Sequence, residues 1–137
     1  TDRIWSVVLI GAGNLGRALL AHPNFEAKGF RIVAVFDADP TKVGTPLHDL
    51  VVLPSSAAPI YVRQNPVKLA ILAVPPEVAQ DIADDLVAAG IRGILNFAPV
   101  ALSVPPDVAV NAVDMAVQLE QLSFLVNFSE STRKTPG

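Results

Sequence analysis

The chain of 137 residues has no cysteine and few charged residues. The lack of cysteine excludes disulfides, zinc–thiolate sites and thiol catalysis. Charged residues make up 17% of the chain, and a net charge of −3 gives no electrostatic reason to bind nucleic acid or an anionic membrane. No apolar run approaches the roughly 20 residues that span a bilayer, and the N-terminus lacks the layout of a secretory signal. The default expectation is a cytoplasmic protein.

The length corresponds to one domain, and the hydrophobic fraction of 51% is high. Such a composition suits a parallel sheet covered on both faces, or a domain that hides a further surface in an oligomer. The first apolar run begins almost directly after Thr1. This start fits a cut at a domain boundary and a natural beginning equally well.

A glycine-rich motif is the clearest signal in the chain. Residues 11–16 read G-x-G-x-x-G between an apolar run at 5–10 and a helical pattern at 14–21. Gly11 permits the tight turn, Gly13 lets a pyrophosphate approach the backbone, and Gly16 allows close helix–strand packing. Asp37 ends the next apolar run, about 20 residues after Gly16, where its carboxylate can accept both hydroxyls of an adenine ribose and repel a 2′-phosphate. The pattern predicts a dinucleotide site that favours NAD(H) over NADP(H); a purely structural glycine turn is the alternative.

The rest of the chain alternates strands with helices. Strands are predicted over 5–10, 31–36, 67–74, 93–97 and 108–113, with a short one over 50–53. Helices are predicted over 14–21 (stopping near Pro23), 77–89 and 114–128, with a helical turn over 39–42. The stretch 44–66 is poorly patterned, and 129–137 is predicted to be a disordered tail.

This alternation predicts an α/β Rossmann fold, a doubly wound, mostly parallel sheet with helices on both faces. Ligands bind such sheets at the carboxyl ends of the strands. The segments expected to line one crevice are 11–13, Asp37, 74–75 and 96–99.

The last predicted helix, which Asp114 caps, is apolar around most of its circumference. Its large apolar side chains are Leu119, Leu122, Phe124, Leu125, Val126 and Phe128. A helix of this kind must be buried on most sides. It belongs either in the core or, as we favour, against a second subunit, because a chain-terminal helix rarely reaches the middle of a core.

Groups for catalysis are scarce. The chain has two histidines, and no Ser/His/Asp grouping, carboxylate pair or metal-ligand spacing stands out. His48 is expected at the surface, and His22 ends the first helix, where it can meet the helix dipole or a ligand. A dehydrogenase needs a substrate domain and an acid/base group, so we expect binding without turnover. The alternatives are the cofactor domain of an NAD-dependent oxidoreductase and a CoA-binding domain of an acyl-CoA ligase, although Asp37 would repel the 3′-phosphate of CoA.

Several segments resemble the C-terminal NAD(H)-binding domain of the Rex family of redox-sensing transcriptional repressors. The resemblance covers about residues 5–128. The matching segments are 11–19, 36–44, 73–75, 90–99, 102–105, 113–116 and 119–124. Of these, Asn-Phe-Ala-Pro at 96–99 and Val-Asp-Met-Ala at 113–116 are more specific than the glycine motif.

The resemblance implies a homodimer that senses the NADH/NAD⁺ ratio and releases operator DNA when NADH binds. DNA is read by an N-terminal winged-helix domain, which this chain lacks, and the last helices (114–128) are exchanged between subunits. No metal and no catalytic residue is implied. The expected cofactor-binding residues are Gly11, Ala12, Gly13, Asn14, Leu15, Gly16, Asp37, Lys42, Val74, Pro75, Asn96, Phe97, Ala98 and Pro99, with the last four near the nicotinamide.

Three further residues match the switch region of the family. Asp114 looks like the aspartate that changes partner between redox states, and Met115 matches a position near the neighbouring subunit's nicotinamide. His22 stands where the family often has a tyrosine that, in some members, hydrogen-bonds this aspartate. We therefore expect a His22–Asp114 contact that responds to the charge of the nicotinamide ring, and a protonated His22 would pair with Asp114 as an ion.

Overall fold

The computed structural model describes residues 3–22 and 24–134. Within them, seven strands form one sheet in the order β3-β4-β2-β1-β5-β6-β7. The strands are β1 (Trp5–Ile10), β2 (Phe30–Asp37), β3 (Pro46–Leu47), β4 (Leu50–Pro54), β5 (Leu69–Leu72), β6 (Gly93–Asn96) and β7 (Ala109–Ala112). The helices are α1 (Asn14–Leu20), α2 (Asn24–Ala27), α3 (Ala58–Gln64), α4 (Pro76–Ala89) and α5 (Met115–Lys134), with a short 3₁₀ helix at Ser55–Ala57.

The direction of chain winding reverses at β1. This strand pairs in parallel with β2 on one side and with β5 on the other, and β3 adds an antiparallel edge through its hairpin with β4. Ligands of open α/β sheets bind at such a reversal, outside the carboxyl ends of the strands. The prediction of a doubly wound, mostly parallel Rossmann sheet is confirmed.

Alternating side chains of β1 supply the core on both faces of the sheet. Val8 and Ile10 pack in one cluster with residues of α3 and α4, including Leu86. Val7 and Leu9 pack in a second cluster on the opposite face, which Leu19 and Leu20 of α1 partly cover.

The poorly patterned stretch 44–66 is well structured. It forms the β3–β4 hairpin, whose turn holds the exposed His48 at φ 54°, then the 3₁₀ helix and α3. Pro59 lies in the first turn of α3, where its missing N–H costs no intrahelical hydrogen bond. The several prolines of this stretch obscure the helix in the sequence, and α2 was also missed. Pro23 and Thr1, which entered the sequence expectations, lie outside the described residues.

The C-terminal helix α5 is longer than predicted. It begins after Asp114, whose Oδ1 accepts a hydrogen bond from Val117 N at 3.1 Å, so the predicted cap is confirmed. It continues to Lys134, so a disordered tail is wrong for residues 129–134, and 135–137 lie outside the described residues. No glycine or proline interrupts the helix, and the hydroxyl of Thr132 donates to the Ser129 carbonyl oxygen at 2.8 Å. Over the described ranges, no helix has the length and apolar character needed to cross a membrane.

Candidate functional site

The glycines of the motif meet different surroundings. Gly11 has φ +115°, and a Cβ there would overlap the Ala73 carbonyl oxygen of the neighbouring strand end. A Cβ on Gly16 would overlap the Gly11 carbonyl oxygen. At Gly13 the nearest atom to a built Cβ is the Nζ of Lys42, 3.8 Å away. Protein packing therefore requires glycine at 11 and 16 but leaves open space over the backbone of Gly13.

Asp37 ties the glycine-rich turn to the end of β2. Its Oδ2 accepts a hydrogen bond from Ala12 N at 2.7 Å, and its Oδ1 accepts one from Asp39 N at 2.8 Å. Each oxygen of an ionised carboxylate has a second lone pair. The half-buried side chain can therefore hold the turn and still accept hydrogen bonds from a ribose.

Residues 39–42 form the single helical turn that the sequence predicted. The Asp39 carboxylate accepts hydrogen bonds from the backbone N and the hydroxyl of Thr41 at 2.9 and 2.8 Å. These bonds favour the ionised form and lower the pKa of Asp39. The turn places the Lys42 ammonium group beside Gly13, which gives this edge of the crevice a positive charge.

A small cavity of about 90 Å³ lies between the carboxyl ends of β1 and β5. It is lined mainly by apolar residues, together with Asp37 and Ser55. The predicted site residues that it brings together are Gly11, Asp37, Val74 and Pro75, and the rest of the wall is Ile10, Ala38, Ser55, Ala73, Val78 and Ile82. The sequence did not single out Ser55, Val78 and Ile82, because the 3₁₀ helix and α4 bring them to the cavity from outside the strand ends.

Asn96 shapes the loop that follows β6. It is 1% exposed; its Oδ1 accepts a hydrogen bond from Ala98 N at 3.0 Å, and its Nδ2 donates to the Val100 carbonyl oxygen at 2.9 Å. The amide therefore holds the loop through one bond from each of its polar atoms. Among the loop residues, Pro99 is exposed and Phe97 is half-buried.

Of the three switch residues, His22 follows α1, whereas Asp114 and Met115 are consecutive residues at the start of α5. His22 Nδ1 accepts a hydrogen bond from Asn24 N at 3.2 Å, and its ring stacks on Phe25 with centroids 5.0 Å apart. Asp114 caps α5, and Met115 is 64% exposed. The hydrogen bonds described for His22 and for Asp114 do not join the two side chains. Because Nδ1 is an acceptor, a neutral His22 carries its proton on Nε2 and presents one donor outward, as a tyrosine would.

Two apolar surfaces are uncovered in the single chain. The first is a groove of about 390 Å³ on the sheet face that α1 covers in part, lined by side chains that include Val7, Ile71 and Leu95. The second is α5, whose large apolar side chains are 41% to 69% exposed. The alternative of a core helix is therefore wrong for this chain. Exposed apolar patches of this kind mark interaction surfaces.

Comparison with known proteins gives consistent matches. Residues 2–100 match the family model of the CoA binding domain. The chain is 51% identical over 123 residues to the redox-sensing transcriptional repressor Rex of Carboxydothermus hydrogenoformans, covering 90% of this chain and 59% of that protein. It is 47% identical over 126 residues to the Rex repressor of Desulforamulus reducens, covering 92% of this chain and 60% of that protein.

Solved structures match equally well. The crystal structure of RSP, a Rex-family repressor, superimposes with a TM-score of 0.89 at 35% identity over 97% of this chain and 64% of that one. RSP has also been solved in complex with β-NADH, and with β-NAD⁺ and operator DNA, with TM-scores of 0.89 and 0.88 to this chain. The chain spans about three fifths of the length of the two Rex repressors named above.

Proposed function

Because the chain belongs to the CoA-binding domain family and is homologous over most of its length to the Rex redox-sensing transcriptional repressors, we propose that it is the NAD(H)-sensing domain of such a repressor. The observation that carries the proposal is the open backbone at Gly13, bounded by the Lys42 ammonium and close to the Asp37 carboxylate. A pyrophosphate next to a ribose complements these groups, because its negative charge suits the Lys42 ammonium and the ribose hydroxyls can donate to the Asp37 carboxylate.

Different site residues contact different parts of the cofactor. The pyrophosphate lies along Gly13 and Lys42, and the adenine ribose donates to Asp37, whose charge disfavours a 2′-phosphate. The apolar cavity beside Val74 and Pro75 takes the adenosine end. The nicotinamide half extends across the strand reversal towards the loop that Asn96 holds, since the two halves of a dinucleotide occupy the two sides of such a sheet.

We propose that the domain works as a homodimer in which α5 of each subunit packs against the other subunit. The exposed apolar side chains of α5 and the uncovered groove support this arrangement. NADH and NAD⁺ then favour different relative orientations of the subunits. Each ligand shifts the equilibrium between the two orientations because it binds one of them more tightly than the other. The RSP complexes with β-NADH and with β-NAD⁺ and operator DNA support this cycle.

DNA binding belongs to a part of the protein outside this chain. We propose a winged-helix domain on the N-terminal side, because the chain spans about three fifths of its Rex relatives. We also propose that the domain binds its cofactor without turnover and acts in the cytoplasm, since these relatives are transcriptional repressors. His22 of one subunit donates from Nε2 to Asp114 of the partner subunit, in one of the two redox states.

Titration of the purified chain with four ligands tests the proposal. We expect NADH to bind most tightly, NAD⁺ more weakly, and NADPH and CoA least, with no formation of NADH from NAD⁺ when 2-hydroxy acids, aldehydes or amino acids are added. The matched family model makes CoA the second candidate ligand. Tighter binding of CoA than of NADH would replace the proposal with that candidate, and turnover would make the chain part of an oxidoreductase.

A further inference from the structure

The turn after β2 is fastened at several points. Asp39 N donates to the Asp37 carboxylate, and the Asp39 carboxylate accepts from the backbone N and the hydroxyl of Thr41. The Asp39 carbonyl oxygen accepts from Lys42 N at 3.0 Å. The Lys42 carbonyl oxygen accepts from the backbone N and the hydroxyl of Thr45 at 3.1 and 2.6 Å. The backbone of Lys42 is therefore held on both sides.

This turn is also anchored to the sheet. Gly44 N donates to the Val52 carbonyl oxygen at 2.8 Å, and Val52 N donates to the Thr45 carbonyl oxygen at 3.0 Å. Val52 is buried in β4, so these two hydrogen bonds join the turn to the core of the sheet. The turn can hold a long side chain over the neighbouring glycine motif with little loss of freedom on ligand binding.

The Lys42 side chain is half-buried and has its Nζ beside Gly13. Within the described residues the ion pairs are Arg31–Glu26 and Arg92–Asp107, so this ammonium forms none. The Asp39 carboxylate attracts this charge without forming an ion pair with it, so a partly desolvated ammonium is left for an anionic ligand.

We propose that Asp39 is a positioning residue, which by capping the turn with Thr41 aims the Lys42 ammonium at the pyrophosphate. The inference rests on the proposed NAD(H) function. It assigns part of the affinity for the cofactor to the turn 39–42, in addition to the part that the glycine motif provides. Asp39 touches no ligand and acts through Lys42.

The test compares ligands with and without the pyrophosphate. Binding of NADH, ADP-ribose and adenosine is measured by calorimetry on the 137-residue chain, with adenosine also measured as a competitor. We expect Lys42→Gln to weaken NADH and ADP-ribose about tenfold, the loss typical of a hydrogen bond to a charged group, and to leave adenosine unchanged. Asp39→Ala should do the same to a smaller extent. Asp39→Asn should restore most of the affinity, because asparagine caps such turns through its side-chain oxygen.

Coupling between the two residues separates positioning from a general loss of structure. If Asp39 acts through Lys42, the double variant Asp39→Ala/Lys42→Gln binds ADP-ribose no more weakly than Lys42→Gln alone. The matched controls are Asp49→Ala and Lys68→Gln, exposed residues at the amino-terminal edge of the sheet, and these should leave binding unchanged. Additive losses in the double variant, or equal losses for adenosine, would overturn the positioning role.

The outcome is separable from that of the proposed function. Tight NADH binding by the wild type with full ADP-ribose affinity in Asp39→Ala would overturn the positioning role alone. Absence of NADH binding by the wild type would overturn the proposed function. In that case inorganic pyrophosphate is the probe. Binding of pyrophosphate by the wild type, with weaker binding by Lys42→Gln and Asp39→Ala, would support the positioning role. Absence of pyrophosphate binding by the wild type would overturn it.

Discussion

Replacement of Asn96 by alanine should destabilise the fold through the loop after β6. The change removes the acceptor of Ala98 N, a buried hydrogen bond, and the donor to the Val100 carbonyl oxygen. A buried donor left without a partner costs about 1–3 kcal/mol. Val100 is 39% exposed, so its carbonyl can turn to water, and that loss is about 0.5–1.5 kcal/mol. We expect the free energy of unfolding to fall by roughly 1.5–4.5 kcal/mol.

Urea unfolding measures this loss. The protein concentration is kept fixed, because dissociation of a dimer contributes to its apparent stability. The matched control is Asn65→Ala, which removes one hydrogen bond from a half-buried asparagine to the Tyr61 carbonyl oxygen at the end of α3 and should cost about 1 kcal/mol. A loss below about 1 kcal/mol for Asn96→Ala would refute the reasoning that its amide holds the loop.

Asn96→Asp tests the direction of each hydrogen bond. The carboxylate keeps an acceptor for Ala98 N, but it faces the Val100 carbonyl oxygen and is buried, so its pKa should rise above the unfolded value of about 3.9. The protonated form can donate to Val100. The folded variant then binds more protons than the unfolded chain, so its stability should be highest below about pH 4 and decline as the pH rises towards the folded pKa. Constant stability across this range would contradict the assigned donor and acceptor.

Four further outcomes are expected. Asp37→Ala should weaken NADH and narrow the preference over NADPH; an unchanged preference in calorimetry would mean that Asp37 does not contact the ribose. His22→Phe should alter the ratio of NADH to NAD⁺ affinity, and a constant ratio would rule out the proposed contact with Asp114. Phe124→Asp, on the exposed face of α5, should produce monomers in analytical ultracentrifugation, whereas a stable dimer would contradict helix exchange. Because hydrogen bonds from Thr41 lower the pKa of Asp39, the cap persists above about pH 4 and is lost as the pH falls through the folded pKa. The affinity for ADP-ribose, measured in place of acid-labile NADH, should drop there in the wild type and less in Asp39→Asn.

The sequence predicted the centre of the fold because its signals there are local. Continuous apolar strands, the glycine motif and Asp37 at the next strand end each report on a few neighbouring residues, and the structure brings Gly11, Asp37 and Val74 to one crevice. The stretch 44–66 was not predictable in the same way. Its strands are short, and α3 is amphipathic over only two turns, so its helix depends on packing of Val62 against the sheet.

The role of Asn96 could not be predicted from its position alone. A polar residue at the carboxyl end of a strand in such a fold is a natural candidate for ligand contact, and nothing in the sequence shows that residue 96 is 1% exposed and that its amide is hydrogen-bonded to the following loop. In the same way, Asp39 looks like a turn residue in the sequence. Its consequence for Lys42 depends on the anchor that the distant strand β4 provides.

The glycine motif itself combines two kinds of requirement that sequence cannot separate. Gly11 and Gly16 are needed by the protein, because a Cβ on either would overlap backbone atoms. Gly13 has a φ of −77° and open space above it, so neither its conformation nor its packing calls for glycine. A structural turn would need only the first two. Under the proposed function, a ligand that comes close to the backbone explains the third, and the Lys42 ammonium at the same place, which forms no ion pair with the described residues, fits an anionic ligand.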